Sequence, residues 1–182
     1  MTLNVNEFVS KINQKGGFLA TSKYQVQFPP VEGNTGSMDA LNLFCISLNM
    51  AGRQLMSQDR RIGIKLEKMI DGYAVDDVSM SFYMPADNSV KKYFEAWGNL
   101  AIPSRSGTVR YKTDYEKDVK IFQLNKDGTK AYGCLLIEAF PTTLQLVELN
   151  GGAQNAISQY GVQLSYTDWI PIDANGAEQI GR

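Results

Sequence analysis

The chain has 182 residues, 43% hydrophobic and 20% charged, with a net charge of −1 and no histidine. Its length fits one domain, or one domain with appendages, and its near-neutral charge gives no basis for tight binding of nucleic acid or an anionic membrane. The missing histidine removes His-based triads, most zinc sites and the commonest general base, and no stretch approaches the ~20 apolar residues that span a bilayer.

Residues 1–23 form an N-terminal arm. Leu3, Val5, Phe8, Val9 and Ile12 suit a short amphipathic helix stopped by Gly16 and Gly17, or else a loose terminal segment. No basic region followed by an apolar run marks a secretory signal. Tyr24, Val26 and Phe28 alternate with Gln25 and Gln27, which predicts a strand ended by Pro29 and Pro30. Residues 31–39 are rich in turn formers and read as a loop. Leu41–Leu48 reads as a second strand, apolar on both faces, expected to be buried on two sides or to lie at a subunit contact.

Residues 49–74 show no sustained period and carry Arg53, Arg60, Arg61, Lys65 and Lys68. A loop of this length is either functional or disordered, the alternative being a solvated excursion with a short hairpin inside it. The three arginines are the candidate contacts to carboxylates on a neighbouring subunit.

The stretch from Val75 to Ile102 organises the rest. Val78, Met80, Phe82 and Met84 share one face of a strand, and Asp77, Ser79, Ser81 and Tyr83 the other. Pro85 ends it. Asp87, Asn88 or Ser89 then caps a helix of about three turns, whose stripe is Val90, Tyr93, Phe94, Trp97 and Leu100. At that spacing the aromatics are core rather than a base-stacking surface. Pro103 closes the unit.

Residues 104–115 read as loop. Residues 118–124 and 131–140 flank Asn125-Lys126-Asp127-Gly128-Thr129, a strong hairpin signal, with Pro141 breaking the second strand. Residues 142–149 are a further apolar run and Asn150-Gly151-Gly152 a turn. Over Ala156–Asp168, Ser158, Tyr160, Val162, Leu164 and Tyr166 face a core. Gln159, Gly161, Gln163, Ser165 and Thr167 face away, and Trp169-Ile170-Pro171 ends the strand. Residues 170–182 form a polar tail.

Cys45 and Cys134 sit in apolar runs and read as buried free thiols, with a disulfide left open. Asp76-Asp77 suits solvation or pairing with lysine better than a metal, and Asn125–Gly128 lacks the later ligands of a calcium loop. No catalytic residue, metal site or cofactor is predicted, and the chain is not expected to be an enzyme. The predicted fold is mainly β, an antiparallel sandwich or small barrel with one flanking helix, spanning residues 24–169.

The order of these segments resembles the tail-tube protein family of contractile-tailed bacteriophages, which is also similar to the tube protein of type VI secretion. Five segments carry the resemblance: YQVQF, LFCISLNMAGRQL, VDDVSMSFYMPADNSVKKYFEAWGNL, KIFQLNKDGTKAYGCLLIEAFPTTL and VQLSYTDW. Met50 stands where the family's turn usually has proline. The resemblance implies a structural virion protein, assembled in the host cytoplasm. Stacked hexameric rings would form the inner tube that conducts genomic DNA during ejection. Tail sheath, baseplate hub and tail terminator would be its partners. It also implies that Gln159, Gln163, Ser165 and Thr167 line the lumen, a neutral wall offering phosphate no positive charge. Two alternatives stand beside this: a baseplate tube initiator or junction protein of the same family, and a monomeric β-barrel binding a small ligand.

Overall fold

The computed structural model describes residues 4–14, 16–34, 38–147 and 157–177. The N-terminal half runs α1 (Val5–Gln14), β1 (Tyr24–Gln27), α2 (Met38–Phe44), β2 (Cys45–Leu48), β3 (Arg53–Ile62), β4 (Lys65–Val75), β5 (Val78–Tyr83) and α3 (Ser89–Ala101). The remainder runs α4 (Lys112–Tyr115), β6 (Lys117–Leu124), β7 (Lys130–Leu144), β8 (Gln159–Ser165) and β9 (Asp168–Ile172). The predicted turn at residues 150–152, the start of the last strand at Ala156, and the tail beyond 177 lie outside the described residues.

The fold is mainly β, and its strand pairs are antiparallel. A seven-stranded sheet is ordered β1-β6-β7-β8-β5-β2, with β9 also on β7, and β3-β4 form a separate two-stranded sheet. β7 is the spine. Its first part pairs with β6 and β9, and its last residues, Phe140–Leu144, pair with β8. The change of partner falls at Glu138, whose φ of 54° lies in the left-handed region that non-glycine residues rarely adopt. A bulge there breaks the β6–β7 register, and the strand turns from one layer into the other.

The two end strands meet without a ladder. Tyr24 donates its hydroxyl to the Cys45 carbonyl at 2.9 Å, and Asn42 Oδ1 accepts the Val26 N–H at 2.7 Å. The sheet therefore curls towards a barrel that side chains, not backbone pairs, hold at the seam.

Helix α3 closes the core as the stripe predicts: Val90, Tyr93, Phe94 and Trp97 are buried and Leu100 packs at the margin. Phe94 packs edge-on to Phe28 and tilted against Phe82 and Tyr160, with ring centres 5.7, 5.3 and 6.4 Å apart. The buried polar ends find partners, Tyr93 donating to the Pro29 carbonyl and Trp97 to the Tyr115 carbonyl, each at 2.7 Å. Asn88 holds the capping position, but it adopts the left-handed conformation and makes no side-chain cap; Asp87 Oδ1 accepts the Ser89 N–H instead.

Four expectations change. Residues 41–44 end helix α2, so only Cys45–Leu48 is strand: Met38 and Leu41, three apart, turn inwards, and Leu43 is exposed. β2 is half-buried to exposed along its length and lies at the sheet edge, so it is not buried on two sides; the other expectation, a subunit contact, stays open. Pro141 does not end β7; it sits beside a bulge where β6 has already left, positions that tolerate proline. Trp169–Pro171 do not end the last strand either. They form β9, an edge strand on β7. Both cysteines are free, Cys134 buried and Cys45 half-buried. Burial pushes the Cys45 thiol up to about 11, which leaves it protonated and inert.

Candidate functional site

Four strands, β2, β5, β8 and the end of β7, form the layer under α3, and their inward residues are the core described above. Their outward residues fall into two rows. One is Ser47, Ser81, Gly161 and Gln145. The other is Asn49, Ser79, Gln163 and Thr143. Gln159 extends this face opposite Tyr83, and Ser165 lies opposite Phe140. Hydroxyls and amides fill both rows, and neither holds a charge. Gly161 makes room for the Gln145 side chain, whose Oε1 lies 2.0 Å from where a Cβ would be.

Of the four residues predicted for this role, the structure gathers Gln159, Gln163 and Ser165 on one sheet face. Thr167 sits apart, at the bend opposite Glu138. Its hydroxyl donates to Glu138 Oε2 at 2.5 Å, and Lys112 Nζ reaches both, at 2.5 Å to Glu138 and 2.6 Å to Thr167. These bonds hold the Glu138 carboxyl below its ordinary range, Lys112 contributing most and Thr167 next. Ser47, Asn49, Ser79, Ser81, Thr143 and Gln145 were not predicted as part of this face. Ser79 and Ser81 were legible as an outward set; what was missing was the neighbour order that lines them up with Gln163 and Gly161.

This four-stranded layer is open on both sides. Among the described residues β2 pairs with no further strand, its outer edge meeting β1 only through the Tyr24–Cys45 hydrogen bond, and Phe140–Leu144 pair with no strand on the edge away from β8.

Residues 49–74 are not a loop. β3 and β4 make a hairpin that pairs from Arg53↔Val75 to Ile62↔Lys65, with a bulge between Met56 and Ser57, closed by Gly63 with φ 64° and Ile64. A two-residue turn opening on glycine has the primed geometry that matches strand twist. The hairpin projects from the body with apolar side chains on both faces. Leu55, Tyr73, Ile70 and Leu66 share one, and Met56, Met69 and Ile62 the other. Ile64 at the tip is 99% exposed. A two-stranded ribbon of this kind is marginal alone in water, and apolar surface on both sides marks it for contact.

The three predicted arginines are separated. Arg53 stands at the base and pairs within the chain with Asp168 at 2.6 Å. Arg60 and Arg61 lie seven and eight residues further on, about 25 Å away along the strand. They point to opposite faces, opposite Glu67 and Leu66. Arg60 reaches the Met69 sulfur at 3.8 Å and Arg61 the Gly63 carbonyl at 3.0 Å. Among the described residues neither makes an ion pair.

The model of the phage tail tube protein family matches residues 19–171. The chain belongs to that family. Membership makes it a structural component of a tail. Solved structures agree on the fold. A chain of the anti-feeding prophage baseplate superposes with a TM-score of 0.63 at 14% identity, covering 85% of this chain and 95% of that one. A chain of the PVC sheath-tube complex, from an extracellular contractile injection system, gives 0.61 at 18% identity, covering 89% and 95%. No curated protein matches.

Proposed function

We propose that this tail tube protein is the repeating subunit of a hollow conduit. Six copies join into a ring, rings stack, and genomic DNA passes through during ejection. The observation that carries the proposal is the neutral outward face of a layer open on both edges. An edge of β2 on one copy and the end of β7 on the next are different surfaces, so the contact is heterologous, and a heterologous contact that closes makes a ring. Joined edge to edge, the layers leave no unpaired strand. Their outward faces then form one wall of Ser, Thr, Asn and Gln, which hydrogen-bonds water yet gives phosphate no cation to bind.

The hairpin is the contact to neighbouring copies in the stack, with Arg60 and Arg61 near its tip. Sheath, baseplate hub and terminator are the partners expected around such a tube, and the similarity to chains of a baseplate and of a sheath-tube complex supports that setting. The monomeric ligand-binding barrel is not favoured, because Phe28, Phe82, Phe94, Tyr93, Trp97 and Tyr160 fill the interior where a ligand would sit.

The test is lysine in the wall. Gln159→Lys with Gln163→Lys would place stacked rings of positive charge around the channel. Particles should assemble, and DNA ejection should slow or stop. Particles that eject and infect normally would remove this face from the channel.

A further inference from the structure

The β3–β4 hairpin shares no ladder with the seven-stranded sheet, so its direction is set by side chains at its base. One carboxylate there gathers both strands. Arg53 Nη2, on β3, donates to Asp168 Oδ1 at 2.6 Å and to the Trp169 carbonyl at 3.3 Å. The Tyr73 hydroxyl, on β4, donates to Asp168 Oδ2 at 2.8 Å. The Arg53 guanidinium lies over the Tyr73 and Trp169 rings, 4.5 and 5.5 Å from their centres. The Trp169 indole N–H reaches back to the Gly52 carbonyl at 3.2 Å.

We infer that Arg53, Tyr73 and Asp168 form a latch that sets the pose of the hairpin on the body before the hairpin meets a second copy of the chain. The inference rests on the proposal that the hairpin contacts neighbouring copies. The latch is keyed to the core: Asp168 opens β9 and pairs with Ile137 on the β7 spine, and its own Oδ1 also accepts the Trp169 N–H at 2.8 Å. A second bond, from the Tyr166 hydroxyl to the Asp76 carbonyl at 2.8 Å, fixes where the hairpin leaves the body. The latch fixes the angle about that point. The arm beyond it is roughly 30 Å long, so a swing of roughly 10° at the base moves the tip about 5 Å, more than a packed contact tolerates. An arm held in its bound direction loses less freedom on assembly, which is how preorganisation strengthens association. Arg53 suits this better than lysine would, because the planar fork bonds carboxylate and carbonyl while stacking on two rings.

The test uses the full-length protein, first below the concentration at which it assembles and then above it. Hydrogen exchange of the hairpin amides is read in the first condition, and the critical concentration for assembly in the second. Asp168→Asn should speed exchange across residues 53–75 by about tenfold or more and raise the critical concentration by a similar factor, as expected for lost charge-assisted hydrogen bonds. Exchange in β6, β7 and β8 should not change. Arg53→Lys should shift both readings in the same direction by less. A protein with Asp168→Asn that assembles poorly while its hairpin exchanges at the wild-type rate would put the pair at a subunit contact and overturn the latch. Faster exchange with undiminished assembly would overturn it too, as would no change in either. A chain with residues 59–68 replaced by an Asn-Gly turn tests the underlying reading separately: if it assembles as the wild type does, the hairpin is not the contact.

Discussion

Trp97 is fully buried and its indole N–H holds the Tyr115 carbonyl, so it contributes both packing and a hydrogen bond. Trp97→Ala should destabilise by about 3–5 kcal/mol, and Trp97→Phe by less, since it keeps most of the packing and loses mainly the bond. Thermal denaturation of the two variants separates the terms; a melting temperature unchanged in Trp97→Ala would contradict burial under the helix. Two glycines make a sharper contrast. A Cβ at Gly133 would lie 2.7 Å from the Phe122 ring and 2.8 Å from Ile172, both fully buried. Gly133→Ala should cost about 1–3 kcal/mol. At Gly161 the clash is with the end of the exposed Gln145 side chain, which can swing away, so Gly161→Ala should leave the melting temperature nearly unchanged.

Protonation acts at the same scale. Burial would raise the Asp168 carboxyl, but the bonds from Tyr73, Trp169 and Arg53 outweigh it and hold it below its ordinary 3.8. A carboxyl lowered in the fold contributes stability above its unfolded pKa and loses it as pH falls through the folded value. The latch should therefore hold at neutral pH and release only below 3.8. In a Trp97→Phe background the fluorescence of Trp169 should report that release, and Asp168→Asn should abolish the titration. A transition of Trp169 at neutral pH would contradict the assignment.

Among the elements, those with one wet face were legible and those without were not. β5 alternates because one side lies under α3, and the α3 stripe shows because its other side is solvated. The hairpin carries charge and apolar groups on both faces, so no period of two emerges. Only Gly63 marked the turn. Residues 41–44 fit helix and strand equally well as a short apolar run. Proline misled twice, at Pro141 and Pro171, because sequence does not reveal which strands are edges. The hairpin itself can be tested at its tip: Arg60→Glu with Arg61→Glu should prevent stacking while circular dichroism and melting stay unchanged. Tubes of normal length from that variant would give the hairpin another role.

For the whole molecule, the sheet order and not any single strand makes the neutral face. The sequence exposed Gln159, Gln163 and Ser165 as an outward set, yet their row-mates lie on β5, on β7 and just after β2, up to 114 residues away, as Asn49 and Gln163 do. Thr167 was grouped with them by alternation alone, which does not register the bend at Glu138. The central claim is that open edges and a neutral wall belong to a subunit that assembles with itself. Negative-stain imaging of the purified protein at rising concentration tests it most directly. Rings with six-fold symmetry and a central channel, stacking into tubes, are the predicted result; particles that remain single subunits at every concentration would contradict it.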